Sequence, residues 1–484
     1  MKTPIRLRLA VLAGTAWLAA CGGGGGGNEP APPAPPPVVP EETRAQDSKT
    51  YTPALPGATT FADMAGVVVG TDRWAGVLNG ASYQIEVPVA WNGKLVMYAH
   101  GYAGEVASLS VGAPSIRRYL IESGYAWAAS SYSKNSYDVR AGVEDTNALA
   151  LAFNQIAAAR GRPLPAPTRL YITGHSMGGH VTGAAIEEET YATAKNKVRY
   201  HGAVPMCGVM GDVELFNRFA GMQVTAQALA GVPSYPTNKW SEIQGLVTDT
   251  LFTTFPSVPT VQGGKYLSVV KNLTGGERPM FNEGIGFGGS FPSAYGTFGS
   301  DGTVNGILNR NVLDTNAFTY VIDGDVPGSA TLNTSVQKLT AAADANRLRR
   351  DGLRWIPVIH GEFKIPVVSL HTLGDLFVPF SMQQVYQQRT AAKGNSNWLV
   401  QRAIRGASHC DFTVAEQVQA FTDMVAWEQG GPRPAGDDVV TPATVAATTY
   451  GCTFTNNTIG VDDKAPVPAL RAGIAMNPAN TCPP

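Results

Sequence analysis

A serine flanked by glycines, in residues 174–178 (GHSMG), constrains the fold more than any other feature of this sequence. A short apolar run at 170–173 (LYIT) leads into it, and a stretch rich in small residues follows to about residue 193. Glycines on both sides of Ser176 allow a tight turn, because they accept strained backbone angles and close backbone contacts. The segment therefore predicts a buried strand, a sharp turn that exposes the Ser176 hydroxyl, and a helix.

Short apolar runs recur on both sides of this segment and predict further strands. They alternate with helical spacing, as in 141–160, which favours a mostly parallel central sheet covered by helices on both faces, an α/β fold. The last helix begins with a capping pattern, Thr413-x-x-Glu416, in which each side chain satisfies a backbone N–H. The predicted strands are 81–87, 95–99, 125–130, 170–173, 198–204, 365–370 and 398–404.

Residues 210–355 interrupt this alternation with a long segment rich in glycine and aromatic residues. Long insertions in compact domains are often active-site lids, so we expect a cap over the site. The alternative is that the segment adds only core and surface loops. The core domain then consists of 49–209 and 356–430, and the proline- and threonine-rich tail at 431–484 is expected to wrap the surface.

The chain begins with the pattern of an export signal at 1–21. Positive residues precede an apolar stretch too short to span a bilayer as a permanent helix. The stretch ends in Leu-Ala-Ala-Cys, which resembles a bacterial lipobox, so Cys21 is expected to carry lipid and anchor the protein to the cell envelope, at the outer membrane. An ordinary signal cleaved nearby is the alternative and predicts a secreted or periplasmic protein. Glycines and then prolines at 22–48 predict a tether.

The net charge and the cysteine content indicate which binding partners and which cellular compartment to expect. The net charge is −1 and no basic stripe occurs, so nucleic acid is not an expected partner. If Cys21 carries lipid, four of the five cysteines remain, and in an oxidising compartment they predict two disulfides among three possible pairings. Of these pairings we favour Cys207 with Cys410 and Cys452 with Cys482.

Four separated motifs resemble those of the α/β-hydrolase superfamily, over roughly residues 80–430. They are HGYAG at 100–104, GHSMG at 174–178, GDLFVP at 374–379 and GASHC at 406–410. The resemblance implies an α/β-hydrolase fold with a large cap insertion. It also implies a nucleophile, an acid and a histidine in that chain order, which are here Ser176, Asp375 and His409.

Rival residues exist for the acid and for the base. His409 lies in a loop between a late strand and the last helix, where the family has its base, whereas His371 falls inside a predicted strand and is expected to be packed there. Asp375 precedes His409 by 34 residues, which leaves room for one helix and one strand. Asp411 is the rival acid, but it is only two residues from His409 and so poorly placed to reach the far ring nitrogen.

These residue types imply a division of roles. His409 is expected to take the proton of the Ser176 hydroxyl and later give it to the leaving alcohol, while Asp375 fixes the imidazole tautomer. The N–H of Met177, at a helix start, is one expected donor to the oxyanion. By resemblance to the HGxxG stretch of secreted lipases and esterases, the N–H of Tyr102 is the second. This mechanism requires no cofactor.

Other chemistries are conceivable for the same residues. His100, His175 and His180 are candidates for a metal site, but no HExxH pattern or ligand cluster supports one. Cys410 is a candidate nucleophile, although an exported cysteine beside the histidine is expected in a disulfide. Cys410 also resembles the cysteine beside the histidine in tannases and feruloyl esterases. Those relatives usually carry a cysteine just before the nucleophile, where this chain has His175.

The pattern as a whole predicts an exported hydrolase of carboxylic esters, either small or polymeric, that works through an acyl-enzyme. Aromatic residues in the insertion favour an apolar acyl or aromatic substrate. A serine peptidase or amidase is the first alternative, because one fold hosts many chemistries. A non-catalytic binding lipoprotein is the second, but such a chain is expected to have lost at least one of the site residues.

Overall fold

An eight-stranded sheet organises the fold. The computed structural model describes residues 41–54, 57, 60–300, 303, 306, 308 and 310–482. Their strands are β1 (Thr71–Leu78), β2 (Ala81–Pro88), β3 (Lys94–Ala99), β4 (Ala126–Ser130), β5 (Arg169–His175), β6 (Gly202–Met206), β7 (Phe252–Thr254), β8 (Val258–Pro259), β9 (Val367–Thr372) and β10 (Leu399–Ile404). The order in the sheet is β1-β2-β4-β3-β5-β6-β9-β10, and β7 pairs with β8 in a separate hairpin.

The sheet is mostly parallel, as the sequence predicts. Only the pairs β1–β2 and β2–β4 are antiparallel among the paired strands of this sheet in the described residues. Strand β1 is not among the predicted strands, because its mixed polarity lacks the apolar run of a buried strand. The ordering and the parallel centre are those of the α/β-hydrolase fold.

Helices cover both faces of the sheet. They are α1 (Ala45–Ser48), α2 (Arg117–Glu122), α3 (Val139–Ala159), α4 (Met177–Ala185), α5 (Glu188–Thr193), α6 (Val213–Leu229), α7 (Trp240–Leu251), α8 (Val261–Leu273), α9 (Phe281–Ile285), α10 (Phe291–Tyr295), α11 (Val326–Ser335), α12 (Ser381–Ala392), α13 (Val414–Glu428), α14 (Pro442–Val445) and α15 (Pro466–Ala475). Within the described residues, none of these helices is both long and apolar enough to cross a membrane.

Alternation along the strands sends side chains into two cores. In β3, Leu95 and Met97 belong to the cluster that includes apolar residues of α3 and α4. Val96 and Tyr98 belong instead to the cluster that includes residues of α2 and α13. Because successive strand residues point to opposite faces, one apolar run can fill both cores, and this explains why the central strands are apolar throughout.

The segment at 210–355 contains α6 to α11 and the β7–β8 hairpin. Its aromatic side chains mostly pack against one another, and Trp240, Phe252, Phe291, Tyr295 and Phe298 are buried. The ring centroids of Phe255 and Tyr295 are 4.9 Å apart, and those of Trp240 and Phe298 are 5.2 Å apart. These aromatics belong to the same apolar cluster as residues of β3, α3 and α4, so the segment extends one of the two cores. Residues 41–484 divide into no smaller compact units.

The N-terminal end of the described chain corrects the predicted tether. The signal peptide at 1–21, Cys21 and tether residues up to 40 lie outside the described residues. Residues 41–48, however, pack on the folded domain: Arg44 is buried, and its Nη1 donates to the carbonyl of Ala345 at 2.6 Å. The prediction of a tether up to residue 48 is therefore wrong for its last residues, because acidic and basic side chains after the prolines find partners on the domain.

The C-terminal tail also contributes to the interior. Val439, Val445, Tyr450 and Ile474 are buried in one apolar cluster with residues of the strand ends that precede the two site loops. A disulfide joins Cys452 to Cys482 and closes a loop of 30 residues in this tail. The tail is thus packed into the fold over much of its length.

Candidate active site

Ser176 lies in a strained turn between β5 and α4, as the sequence predicts. Its φ is 57° and its ψ is −122°, a backbone region that ordinary residues rarely adopt. The glycine at 178 is required by space, because a Cβ there would lie 2.0 Å from the carbonyl oxygen of Ala99. A Cβ on Gly174 would lie 2.3 Å from the oxygen of Gly178. The two glycines therefore permit the turn that holds the serine out of the helix.

His409 lies between β10 and α13 and bridges Ser176 to Asp375. Its Nε2 is 2.8 Å from Ser176 Oγ, and its Nδ1 is 2.5 Å from Asp375 Oδ2. The Asp375 carboxylate is fully buried, and its other oxygen accepts from the backbone N–H groups of Phe377 (3.0 Å) and Val378 (2.9 Å). With Nδ1 donating to the carboxylate, Nε2 presents its lone pair to the serine hydroxyl.

The rival acid, Asp411, does not reach the imidazole. Its Oδ2 accepts from the N–H of Ala407 at 3.0 Å, within its own loop. Burial raises the pKa of the Asp411 carboxyl to about 7, an effect that the nearby Arg471 guanidinium partly offsets. The structure thus brings Asp375, and not Asp411, to the ring of His409.

Four other histidines have hydrogen-bond or stacking partners of their own, although His371 Nε2 also lies 3.9 Å from Asp375 Oδ2. His371 is packed inside β9, as predicted, and its Nε2 donates to the carbonyl of Val378 at 2.7 Å. His175 contacts the Tyr98 hydroxyl and Gln417, and burial lowers its pKa to about 3. His180 lies between the Tyr137 hydroxyl and the carbonyl of residue 357, and His100 stacks on the ring of residue 132.

The structure does not join His100, His175 and His180 into a metal site. In the described part of the chain, the grouping with metal-ligand spacing is Cys207, His409 and Cys410. Its two sulfurs are bonded to each other, so neither is a thiolate that could bind a cation or attack a substrate. No described residues therefore provide a set of ligands that favours a resident metal.

A disulfide between Cys207 and Cys410 borders the site. It is the pairing favoured from the sequence, and it links residues 203 positions apart. The Sγ of Cys410 lies 3.4 Å from His409 Nε2, and both cysteines have positive φ, 43° for Cys207 and 61° for Cys410. The bond fastens the histidine loop to the end of β6, whose last residue also accepts a hydrogen bond from the Ser176 N–H.

The glycine-containing loop at 100–104 lies over the nucleophile. A Cβ on Gly101 would lie 3.3 Å from Ser176 Cβ and 3.3 Å from the carbonyl oxygen of His175. Tyr102 follows directly, and Met177 is the first residue of α4, where a backbone N–H has no partner within the helix. The position of the loop is compatible with the predicted oxyanion donors.

Phe377 is a site residue that the sequence analysis did not single out. Its ring centroid is 5.5 Å from that of His409, in an edge-on arrangement, and 6.0 Å from that of Phe219 of α6 in a stacked one. Phe377 belongs to the GDLFVP motif, two residues after Asp375. Its position in the sequence could have indicated this role, because a residue so close to Asp375 lies at the same edge of the sheet.

The insertion packs directly on the loop that carries Asp375. A Cβ on Gly284 would lie 2.0 Å from the carbonyl oxygen of Gly374. Ser290 Oγ accepts from the N–H of Leu376 at 2.6 Å. The insertion is therefore in contact with the candidate site and fixed to one of its three loops.

No protein-family profile matches this chain. Among curated proteins, an o-phthalyl amidase from Xanthobacter agilis is 29% identical over 75 residues, which are 16% of this chain and 17% of the amidase. The matching segment thus spans about a sixth of that protein.

Solved structures of several hydrolases resemble this chain weakly. Feruloyl esterase B from Aspergillus oryzae is 14% identical, with a TM-score of 0.41, over 82% of this chain and 89% of the esterase. An acylaminoacyl peptidase from Pyrococcus horikoshii is 9% identical, with a TM-score of 0.37, over 78% of this chain and 44% of the peptidase. A puromycin-hydrolyzing peptidase from Mycobacterium tuberculosis is 16% identical, with a TM-score of 0.36, over 79% and 44%.

The sheet order and the strained serine turn carry the assignment of this chain's fold. The turn joins a central parallel strand to a helix, and the loops after the last two sheet strands meet at that serine. This arrangement is that of the α/β-hydrolase fold.

Proposed function

We propose that this protein is an exported serine hydrolase that cleaves carboxylic esters. The observation that carries the proposal is the unbroken hydrogen-bonded chain from Asp375 through His409 to Ser176, with distances of 2.5 and 2.8 Å. A serine on a strained turn, with a base in reach and an acid that orients the base, is the arrangement expected of an activated nucleophile. A binding protein without catalysis has no need of this alignment.

The proposed reaction has two steps. Ser176 Oγ attacks the carbonyl carbon of the ester while His409 Nε2 takes its proton, and the leaving alcohol then receives that proton as the carbon–oxygen bond breaks. Water attacks the resulting acyl-enzyme with the same histidine as base, which releases the acid and restores the serine. Asp375 stays ionised throughout and stabilises the imidazolium.

The negative charge on the tetrahedral oxygen needs donors in place before the reaction. We assign them to the N–H groups of Met177 and Tyr102. The first is supported by its place at the start of α4, where the helix dipole also favours an anion. The second is supported by the contact of the Gly101 position with Ser176. Loss of one such donor typically lowers kcat by about 10²–10³.

An amide substrate is the second candidate. It is favoured by the 75-residue similarity to the o-phthalyl amidase, and the same residues suit both reactions because the acyl-enzyme is common to them. The two differ in the leaving group, which is an alcohol for the ester and a less acidic amine for the amide. Esters are our first choice because HGYAG at 100–104 resembles the HGxxG stretch of secreted lipases and esterases.

The deciding experiment compares leaving groups at constant acyl group. The purified full-length protein is tested with p-nitrophenyl esters from acetate to palmitate and with the matching p-nitroanilides. Turnover of esters that disappears in Ser176→Ala and persists in Ser335→Ala, a serine at the end of α11, supports the proposal. Preference for the anilides assigns the protein to the amidases, and no turnover of either series by the folded protein contradicts a serine hydrolase.

Export and lipid anchoring are separate proposals. The two disulfides support an oxidising compartment. Lipid at Cys21 predicts that labelled palmitate is incorporated by the natural protein and not by Cys21→Ser. Incorporation in both, or in neither, contradicts anchoring at this cysteine and leaves the ester hydrolase proposal untouched.

A further inference from the structure

The loop that carries His409 is held from outside by the C-terminal tail. Several hydrogen bonds join the segment 405–416 to residues beyond 447. At the start of the segment, the guanidinium of Arg405 donates to the carbonyls of Thr448 and Tyr450, and the backbone N–H of Arg405 donates to Thr455 Oγ1. At its end, Thr413 Oγ1 donates to the carbonyl of Asn456, and the backbone N–H of Val414 donates to Asp463. The tail therefore contacts both ends of the loop.

Arg471 of α15 is the buried centre of these contacts. Its Nη2 donates to the carbonyl oxygen of Asp411 at 2.7 Å and to Glu416 at 2.9 Å. Its Nη1 donates to the other Glu416 oxygen at 3.1 Å and to Asn457 at 3.0 Å. The side chain of Arg471 is 3% exposed and that of Glu416 is fully buried. A forked guanidinium can hold a carboxylate and a carbonyl in one fixed geometry, which lysine cannot reproduce.

Two of the three partners of Arg471, Asp411 and Glu416, bear on the position of His409. Asp411 follows His409 by two residues, and its carboxylate holds the N–H of Ala407 on the other side of the histidine. Glu416 begins α13 together with Thr413, each capping the backbone of the other. Arg471 thus joins the closing half of the loop to the helix that follows it. The Cys207–Cys410 bond also holds the loop, at the end of β6.

We propose that Arg471 is a positioning residue for His409, and that the C-terminal tail is thereby part of the catalytic apparatus. This inference rests on the proposed ester hydrolysis. Removal of the guanidinium leaves the Glu416 carboxylate buried without a cation and frees the Asp411 carbonyl, so the loop loses its fixed path. Displacement of a catalytic group by about 1 Å can cost about 10²-fold in rate, even when the change lies outside the substrate's reach.

The charged groups around Asp411 supply an independent signature. Burial raises the pKa of Asp411, Arg471 of α15 and the N–H groups of the loop lower it, and Glu416 of α13 raises it. His409 lies on the same loop. Without Arg471 the pKa of Asp411 rises further, so the carboxyl group is neutral up to a higher pH, while one of its oxygens can still accept from the N–H of Ala407. The pH range over which stability declines, measured by urea unfolding, is therefore expected to extend to higher pH in the variant.

The test compares two ion pairs that fasten the tail to the body. Arg471→Met removes the contact to the His409 loop. The matched control is Arg118→Met, because Arg118 of α2 holds the tail residue Asp462 through two hydrogen bonds, of 2.5 and 3.0 Å, and touches neither the loop nor the site. On p-nitrophenyl butyrate, Arg471→Met is expected to lower kcat about 100-fold with KM changed less than about 3-fold, while Arg118→Met keeps kcat within about 3-fold.

Rescue and folding controls keep the result decisive. Added guanidinium ion is expected to restore part of kcat in Arg471→Met and to have no such effect in Arg118→Met. If Arg471→Met does not fold, Arg471→Lys, which keeps the charge but not the fork, is expected to retain the fold with kcat lowered about 10-fold or more.

The failures of this inference and of the proposed function are distinguishable. Wild-type kcat in a folded Arg471→Met or Arg471→Lys variant overturns the inference alone. Absence of turnover in the wild-type protein overturns the proposed function instead.

Discussion

Replacing Asp375 by asparagine keeps the shape of the side chain and changes only what its atoms donate. In the wild-type protein one carboxylate oxygen accepts from the N–H groups of Phe377 and Val378, and the other accepts from His409 Nδ1. In Asp375→Asn the amide oxygen must keep facing the two backbone donors, since an NH₂ group there would oppose them. The NH₂ group then faces Nδ1, which has to become the acceptor.

The consequence is a histidine in the wrong tautomer. Nε2 carries the hydrogen, and the atom that lies 2.8 Å from Ser176 Oγ can no longer take a proton from it. In a Ser-His-Asp protease the same change lowers kcat about 10⁴-fold, which corresponds to about 5.5 kcal/mol of activation free energy. Because Asp375 is fully buried and has no access to substrate, KM is expected to change little.

The assay is steady-state hydrolysis of p-nitrophenyl butyrate, with Asp411→Asn as the matched control. An amide at 411 can still accept from the N–H of Ala407, so its kcat is expected to stay within about 10-fold of the wild-type value. The reasoning is refuted if Asp375→Asn retains a tenth or more of the activity, or if Asp411→Asn loses as much as Asp375→Asn does.

Three further predictions concern the surroundings of the site. Gly101→Ala places a Cβ 3.3 Å from Ser176 Cβ and is expected to lower kcat about 10-fold to 100-fold. Gly264→Ala, in open space on α8, is expected to leave kcat unchanged, and steady-state kinetics would check both. Because the pKa of Asp411 is raised to about 7 in the folded protein, its neutral form favours folding, and this contribution to stability is lost as the pH rises from about 4 to about 7. The free energy of unfolding of Asp411→Asn, measured in urea, is therefore expected to decline less over that range than that of the wild-type protein. Reduction of the Cys207–Cys410 disulfide, which spans 203 positions, is expected to lower the free energy of unfolding by up to about 5 kcal/mol and to abolish activity before the protein unfolds globally. Activity and circular dichroism are recorded side by side, and loss of the circular dichroism signal before activity would show that the bond is only structural.

The centre of the fold could be predicted from local sequence because its determinants are local. The turn at Ser176 depends on glycines within two positions of it, and each central strand is an apolar run that both faces of the sheet require. Asp375 and His409 were chosen because the resemblance to the α/β-hydrolase superfamily implies an acid and a histidine in that order after the nucleophile. These features need no knowledge of distant contacts.

The remaining features depend on pairs of residues far apart along the chain. The tether ends earlier than predicted because Arg44 packs on the domain and donates to the carbonyl of Ala345. That contact could not be predicted, because Ala345 is 301 positions away and no local pattern marks it. In the sequence, Arg471 looks like any basic residue of an amphipathic helix. Only the structure shows that its guanidinium binds Glu416, which lies 55 positions earlier in the chain. The sequence analysis quoted Phe377 within a motif, yet only the structure places its ring against His409.

The packing of the insertion on the acid loop has a consequence for how substrate reaches the proposed site. A lid that swung away only in the presence of aggregated substrate would make the rate jump at the solubility limit of that substrate. Here a swing of the whole insertion would pull Gly284 and Ser290 from the loop that carries Asp375, and would thereby disturb the acid that orients the base. The rate is therefore expected to rise smoothly with substrate concentration across the solubility limit, with entry governed by the size of the opening.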